Sequence, residues 1–256
     1  MFAQERRKAI HDLLSAQGRL TVGELQDALD ASPATIRRDL AELEREGQVV
    51  RTHGGIIHPS TLQGEPVFQQ RVNVAAAAKR AIAGAAAAEV PERATLFIDT
   101  GTTALSLAAL LVARGGLTIF TNSIPVLALA RSDGAHVVGL GGDVRIPSQS
   151  LCGAAALAWL DRLRFDVAFM GTSGIDPEGG ATITSLEECA MKQGAIARAG
   201  RTVLLADAGK WSSPAAIAYA GWGAFDLWIT DARPGRADAT RLRAAGVEIV
   251  RVKTDA

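Results

Sequence analysis

This sequence predicts an α/β chain in two parts: a small helical domain closed by a hairpin over residues 1–57, and a larger domain built on a mostly parallel sheet over residues 67–256. Three observations predict it. Residues 21–57 hold two capped helical stretches followed by two short β-branched runs around Gly54-Gly55. From residue 94 onward, apolar runs of strand length alternate with helical stretches. Between the two regions, residues 58–66 (His-Pro-Ser-Thr-Leu-Gln-Gly-Glu-Pro) have the composition of a linker.

The first domain opens with a helix over residues 4–16, whose Ile10, Leu13 and Leu14 share one face and should pack on Val22, Leu25, Leu29, Ile36 and Leu40. Arg6 and Arg7, near its start, either meet a phosphate or are simply solvated. Thr21-Val-Gly-Glu24 is a capping box that opens a helix through about Leu29. The turn Asp30-Ala31 leads to Ser32, an N-cap residue, and to Pro33, which suits the first helical position because no N–H is needed there. In the helix 33–45, Ile36, Leu40 and Leu43 fall on one face, Arg38 and Arg45 point the other way, and Thr35 and Arg37 lie on the flanks. Gln48–Ile57 then reads as two short strands.

Taken alone, a helix with three outward arginines (37, 38, 45) is an ordinary solvated surface. Helix, short turn, capped helix and hairpin in that order make a winged helix-turn-helix, whose second helix enters the major groove of DNA. The candidate DNA contacts are Ser32, Thr35, Arg37, Arg38, Arg45, Arg51, His53 and Gly54. Charge does not advertise this role. The whole chain has a formal net charge of +0, and its first 58 residues set eight Lys/Arg (6, 7, 8, 19, 37, 38, 45, 51) against nine acids. Affinity must rest on local placement, which speaks against tight non-specific binding and not against a specific site.

Two cysteines, Cys152 and Cys189, stand far apart without metal-ligand spacing and read as unrelated core thiols; no metal site is expected. The start, Met-Phe-Ala-Gln-Glu-Arg-Arg-Lys, lacks the apolar run of a secretion signal, and no stretch is long and apolar enough to span a membrane. A cytoplasmic protein is expected.

In the second domain, residues 68–89 predict one alanine-rich helix that contains Lys79, read as a surface lysine. The strands that follow are Ala94–Asp99, Leu117–Thr121, His136–Leu140, Asp166–Met170, Thr202–Ala206, Asp226–Thr230 and Val247–Val252, with helices near 104–113, 124–131, 153–162, 187–199 and 236–245. Several runs are continuously apolar, as in strands covered on both faces. Ligands of such sheets bind beyond the carboxyl ends of the strands. There, Asp99-Thr100-Gly101-Thr102-Thr103 offers a glycine and two threonines at a helix N-terminus, a plausible phosphate cradle, although threonines also cap helices for structural reasons. Thr121-Asn122-Ser123, Gly141-Gly142-Asp143, Gly171-Thr-Ser-Gly174 and Asp207-Ala-Gly-Lys210 end other strands. Lys210 supplies positive charge for a phosphate. The candidate ligand residues are Asp99, Gly101, Thr102, Thr103, Asn122, Ser123, Gly142, Asp207 and Lys210.

Catalysis is unsupported. No Gly-x-Ser-x-Gly elbow, phosphate-binding Walker loop or His-x-x-x-His pair occurs, and neither Asp99, Asp207, Glu187 nor Glu188 stands beside a candidate histidine in sequence. No catalytic residue and no cofactor is expected.

Nearly the whole chain resembles the DeoR family of bacterial transcriptional regulators. In the first domain the resemblance runs through Val22, Glu24, Leu25, Leu29, Ser32, Thr35-Ile-Arg-Arg-Asp-Leu40, Leu43, Gly47, Arg51 and His53-Gly-Gly55. In the second it runs through Lys79, Asp99, Gly101-Thr-Thr103, Thr121-Asn-Ser123, Gly141-Gly142, Gly153, Asp166, Gly171, Gly174, Asp207, Lys210 and Thr230-Asp231. The sequence departs from the family pattern at Pro91-Glu92-Arg93, Ala190 and Ala208-Gly209. The resemblance implies a second domain similar in fold to ribose-5-phosphate isomerase, so the rival readings are a sugar-phosphate isomerase carrying a DNA-binding domain and a DNA-binding protein whose second domain only oligomerises. It also implies a repressor of sugar or polyol catabolic genes, released by a phosphorylated intermediate. Its partners would then be operator DNA and a phosphorylated sugar, with no membrane. Pairing into a homodimer or homotetramer is expected, because two-fold assembly doubles the DNA contacts.

Overall fold

The computed structural model describes residues 2–17, 19–46, 48–52, 55–57 and 67–254. His53, Gly54 and the expected linker 58–66 lie outside the described residues. The chain divides into two compact units, Met1–Val74 and Ala75–Ala256.

The first unit contains α1 (Ala3–Gln17), β1 (Arg19–Thr21), α2 (Val22–Leu29), α3 (Pro33–Arg45), β2 (Val50–Thr52), β3 (Gly55–Ile57) and α4 (Phe68–Asn73). Its helix ends form where the caps predict. Thr21 Oγ1 accepts from the Glu24 N–H at 3.1 Å, and Glu24 Oε2 accepts from the Thr21 N–H at 2.7 Å, completing the capping box. Asp30 ends α2 in the left-handed region (φ 46°), and Ser32 Oγ accepts from the Thr35 N–H at 3.3 Å to open α3. Ile10, Leu14, Leu25, Leu29, Ile36, Leu40 and Leu43 close the core between the helices, joined by Leu20 and Ile56 from the strands and by Val49, which precedes β2. Full burial of an aliphatic side chain such as Leu40 contributes about 1.5–3 kcal/mol. The wing is a three-stranded antiparallel sheet in the order β1-β3-β2, where a two-stranded hairpin was expected. The added strand has only three residues, too few to display an alternating pattern.

One expectation fails between the units. The single helix predicted over 68–89 is broken into α4 and α5 (Ala76–Ala88), with Ala75 at φ 53°. The run Val72-Asn73-Val74 explains the break, since β-branched residues and asparagine are weak helix formers. α4 packs against α1 and belongs to the first unit. Lys79, expected on the surface, is buried.

The second unit is organised by seven parallel strands: β4 (Ala94–Ile98), β5 (Leu117–Thr121), β6 (His136–Gly139), β9 (Phe165–Met170), β12 (Ala199–Leu205), β14 (Leu227–Thr230) and β15 (Glu248–Arg251). These are the seven predicted strands. Their spatial order is β15-β14-β12-β9-β4-β5-β6. The chain starts in the middle at β4, builds outward through β5 and β6, then crosses back to β9 and builds the other way. Loops leaving β4 and β9 therefore diverge, and a crevice at such a reversal is where doubly wound sheets bind ligands.

Alternation along the strands sorts the two faces. Leu96, Ile98, Val203, Leu205, Leu227 and Ile229 meet α5 and α6 (Thr102–Leu111) through Ile82, Ala86, Leu107 and Leu111. Phe97, Leu204 and Trp228 belong to the opposite core, with α8 (Ala154–Leu160), α9 (Leu186–Ala197) and α10 (Arg236–Ala244). α7 (Ile124–Leu127) is a single turn, shorter than predicted. Two small sheets were not predicted: the hairpin β7 (Asp143–Arg145) with β8 (Ser150–Cys152), and the antiparallel group β10 (Gly174–Asp176), β11 (Gly180–Ile183) and β13 (Ile217–Ala220). Both consist of strands of three or four residues, too short to carry a periodic signal. Cys152 and Cys189 are buried free thiols.

The β1–β3 pairing leaves no room at Gly55, where a Cβ would stand 2.2 Å from the Leu20 carbonyl oxygen and 2.9 Å from Thr21 Cα. Gly55→Ala should therefore destabilise the first unit by about 1–3 kcal/mol, as overpacking does. A urea melt followed by helical circular dichroism checks this, and an unchanged midpoint would contradict the β1–β3 register.

Candidate functional sites

In α3 the buried residues are Ile36, Asp39, Leu40 and Leu43, which leaves Arg37, Arg38, Ala41, Glu44 and Arg45 on the exposed side. Asp39 is the odd member of the buried face. It is bound by Arg6, whose Nε lies 2.5 Å from Oδ2 and whose second guanidinium nitrogen lies 3.2 Å from Oδ1. This forked pair fastens α1 to α3 and removes Arg6 from the phosphate contact considered for it. Arg7 also turns to α3, 3.8 Å from Glu42 and 4.0 Å from Glu46. Arg45 pairs with Glu42. Among the described residues Arg37 and Arg38 are exposed and in no ion pair, Ser32 and Arg51 are exposed, and Thr35 is half-buried. Of the sequence-predicted contacts, Ser32, Thr35, Arg37 and Arg38 thus lie at the N-terminal half of α3, Arg45 at its C-terminal end and Arg51 on β2, with His53 and Gly54 outside the described residues.

In the second unit, parallel strands place all their carboxyl ends along one edge. Asp99 follows β4 and is 1% exposed. Its Oδ2 accepts from the Gly171 N–H at 2.8 Å, which ties the ends of β4 and β9 together, and from Lys192 Nζ on α9. Its Oδ1 is buried with no hydrogen-bond partner. The next position along β5 is Asn122, beside Asp99 because Ile98 and Thr121 are register partners. Asn122 is also 1% exposed; its Nδ2 donates to the Leu151 carbonyl at 3.4 Å, and its Oδ1 has no partner. Gly101 caps α6 at φ 130° and ψ 158°, a conformation suited to glycine, and a Cβ there would meet nothing within 4 Å. The N-terminus of α6 therefore opens onto free space, with Thr102 half-buried and Thr103 buried.

The remaining predicted residues are placed differently. Ser123 is fully buried and its hydroxyl accepts from the Val126 N–H at 3.4 Å, capping α7. Gly142, at φ 104°, faces the Cys152 carbonyl, 2.2 Å from where a Cβ would be, so its glycine is required by the close approach of β8. Asp207 accepts from the Gly209 N–H at 3.0 Å and caps the short turn Ala208–Lys210. β9 lies between β4 and β12, so the end of β12, which Asp207 follows, stands two strand spacings, about 10 Å, from the end of β4, and Lys210 is half-buried in the loop beyond it. Asp99, Asn122 and the α6 N-terminus are the members that the fold brings together as neighbours.

Sequence reasoning missed Lys192 and Tyr219 here, and weighed Glu188 only as a possible general base. Glu188 and Lys192 share the buried face of α9 with Met191 and Ala195, and each charged side chain is 2% exposed. Two charges on an apolar stripe at i, i+3, i+4, i+7 spacing were the available signal. Lys192 Nζ also donates to the Gly171 carbonyl at 3.1 Å and lies 5.3 Å from the centroid of the Tyr219 ring. Tyr219, from β13, donates its hydroxyl to the same carbonyl at 2.8 Å. Burial, and then the nearby Asp99 carboxylate, push the Tyr219 phenol well above its usual range, so it stays a donor. Glu188 joins the β7–β8 hairpin to α9: Ser150 Oγ donates to it at 3.4 Å and the Arg145 guanidinium lies 3.6 Å away. Thr100 Oγ1 donates to the Ser148 carbonyl at 3.2 Å, bringing the hairpin against the β4 loop.

Comparison with known proteins agrees with both halves. Residues 6–61 match the model of the DeoR-like helix-turn-helix domain, and residues 74–232 match that of the DeoR C terminal sensor domain. The chain is 34% identical over 251 residues to the HTH-type transcriptional regulator GlpR of Haloferax volcanii, covering 98% of each. It is 32% identical to the HTH-type transcriptional repressor GlcR of Bacillus subtilis, covering 100% of this chain and 98% of that one. It is 31% identical to the glycerol-3-phosphate regulon repressor of Escherichia coli, covering 90% and 91%. Among solved structures, ribose 5-phosphate isomerase A from Methanocaldococcus jannaschii matches 52% of this chain and 53% of its own at 18% identity and a TM-score of 0.39, a likeness of part of the fold only. Among the described residues no helix is long and apolar enough to cross a membrane. With a helix-turn-helix unit followed by a sensor unit, and with relatives that are regulators and repressors along nearly their whole length, the chain belongs to the DeoR family of transcriptional regulators.

Proposed function

We propose that this regulator represses genes of sugar or polyol catabolism, and that a phosphorylated sugar or polyol bound over the strand ends releases it from its operator. One observation carries the ligand side. Asp99 Oδ1 and Asn122 Oδ1 are buried acceptors without donors at the ends of neighbouring strands. An unmet buried polar atom costs about 1–3 kcal/mol. Hydroxyls of a polyol would supply the donors. Beside them the open N-terminus of α6 suits a phosphate, through the Thr102 and Thr103 N–H groups and hydroxyls and the freedom of approach at Gly101. Lys210 would offset part of the charge. The names of the relatives, among them a glycerol-3-phosphate regulon repressor, support the same class of effector. The protein would act in the cytoplasm as a homodimer or homotetramer, in which two copies of α3 read a repeated site. The ligand acts by binding the DNA-incompetent arrangement more tightly, with a coupling of about 1–3 kcal/mol.

On the DNA side, Arg38→Ala should weaken operator binding far more than binding to bulk DNA, because a forked arginine–guanine contact is worth about 1–3 kcal/mol of discrimination. Gel shifts on operator and scrambled duplexes compare the two. Equal weakening would reduce Arg38 to a phosphate contact, and no effect of either Arg37→Ala or Arg38→Ala would refute the docking of α3. Light scattering of the operator-bound protein should find dimers or tetramers; monomers alone would remove the two-fold reading.

For the ligand, a thermal-shift screen of sugar and polyol phosphates beside their unphosphorylated parents should yield a phosphorylated compound that raises the melting temperature and lowers operator affinity, with its parent inert. Thr102→Val combined with Lys210→Ala should abolish both responses and leave basal DNA binding intact. A parent sugar that works equally well, or a double variant that still responds, would show the phosphate assignment to be wrong.

A further inference from the structure

We infer that Lys192 is a positioning residue of the effector site: it holds one oxygen of Asp99 so that the other is presented, beside Asn122 Oδ1, to hydroxyls of the ligand. The inference rests on reading Asp99 and Asn122 as hydroxyl acceptors. Lys192 does not itself reach for the ligand. An ammonium group has three donors, and its surroundings match them: Asp99 Oδ2, the Gly171 carbonyl at 3.1 Å, and the face of Tyr219 at 5.3 Å. What Lys192 controls is the carboxylate. Oδ2 takes both internal donors, Lys192 and the Gly171 N–H, and Oδ1 takes none. The two oxygens of a carboxylate are chemically alike, and rotation about its last bond is soft. Two donors converging on the same oxygen are therefore what makes them different.

The asymmetry has a structural source. Lys192 comes from α9, Gly171 from the end of β9, and Tyr219 from β13, which also donates to the Gly171 carbonyl at 2.8 Å. Three separate elements thus fix the carboxylate of a fourth, β4, at the point where strand order reverses. Asn122 is similarly held by one side, its Nδ2 on the Leu151 carbonyl, with Oδ1 left over. The pair of acceptors matches a ligand that brings two hydroxyl donors to the ends of β4 and β5.

The test compares two probes on the full-length protein by calorimetry. Inorganic phosphate requires only the α6 N-terminus. The second probe is whichever of ribose 5-phosphate, fructose 1-phosphate, glucose 6-phosphate and sorbitol 6-phosphate binds wild type most tightly, and it requires the hydroxyl acceptors too. Lys192→Met should leave phosphate affinity within about twofold and weaken the sugar phosphate by about tenfold or more. Unchanged sugar-phosphate affinity overturns the inference. So does an equal loss for both probes, which would make Lys192 a merely structural residue. Should Lys192→Met alone not fold, it is made on Asp99→Asn and compared with Asp99→Asn alone: a residue that acts only through Asp99 should change sugar-phosphate affinity by no more than about twofold on that background, and a further loss of about tenfold overturns the inference. A wild type that binds phosphate but none of the four sugars overturns the hydroxyl reading of Asp99, and the role of Lys192 with it. A wild type that binds neither probe overturns the site as a whole.

Discussion

The carboxyl edge of the sensor sheet depends on one buried ion pair, Asp99 with Lys192, each no more than 2% exposed. Taking two charges out of water is expensive, and such a pair is tolerated only when the remaining hydrogen-bonding capacity is met. Here the Gly171 N–H and carbonyl meet most of it, so the cost is absorbed by the same peptide segment that ends β9. Breaking such a pair from one side typically costs about 3–5 kcal/mol. Replacing both partners with apolar side chains is often harmless to stability in other proteins. A purely structural demand would therefore be served as well by a leucine and a methionine. The single unmatched oxygen, Asp99 Oδ1, is what an apolar pair could not provide.

The DNA-binding unit solves a different electrostatic problem. Over the first 58 residues its nine acids slightly outnumber its eight Lys/Arg, which by bulk charge is unhelpful for binding a polyanion. The structure shows that the cancellation is spatially organised. Asp39 is occupied by Arg6, Glu42 by Arg7 and Arg45, and Glu46 by Arg7. The Arg6 and Arg7 pairs tie α1 to α3, the Arg45–Glu42 pair lies within α3, and together they neutralise acids that would otherwise repel a phosphate. Arg37 and Arg38 stand outside that set. A small reserve of free positive charge on one helix favours binding that depends on register over indiscriminate attraction, whose strength scales with the number of phosphates neutralised.

How much was legible follows from how each feature is encoded. The seven sheet strands were legible because strands such as Leu204-Leu205 and Trp228-Ile229 are covered on both faces and so are written as unbroken apolar runs. The helix starts at Val22 and Pro33 were legible because capping is local chemistry between residues three apart. The loops at strand ends could be located, and with them Asp99, Gly101 and Asn122, but not their partners. Lys192 is 93 residues from Asp99 in sequence. Nothing local marks that contact beyond a charge on an apolar helical stripe. Ser123, Gly142 and Asp207 looked alike in sequence to the residues around Gly101; only the fold separates a side chain that caps its own turn from one left with a bare acceptor. The break at Ala75 was hidden for a related reason: alanine-rich sequence on its far side is so favourable to helix that the weak formers at Val72–Val74 were read through.

The tryptophans add a practical property. Of the four in the chain, Trp211, Trp222 and Trp228 form one aromatic cluster, with ring centroids 5.1–6.2 Å apart, while Trp159 is 59% exposed on α8. Trp211 immediately follows Lys210 and is the partly buried member, lying directly on the fully buried Trp228. Indole emission depends on polarity and on coupling between rings in van der Waals contact. The molecule therefore carries a built-in optical gauge of its carboxyl-edge loops, set against a solvent-exposed indole elsewhere on the same unit, and needs no attached dye to report what happens there.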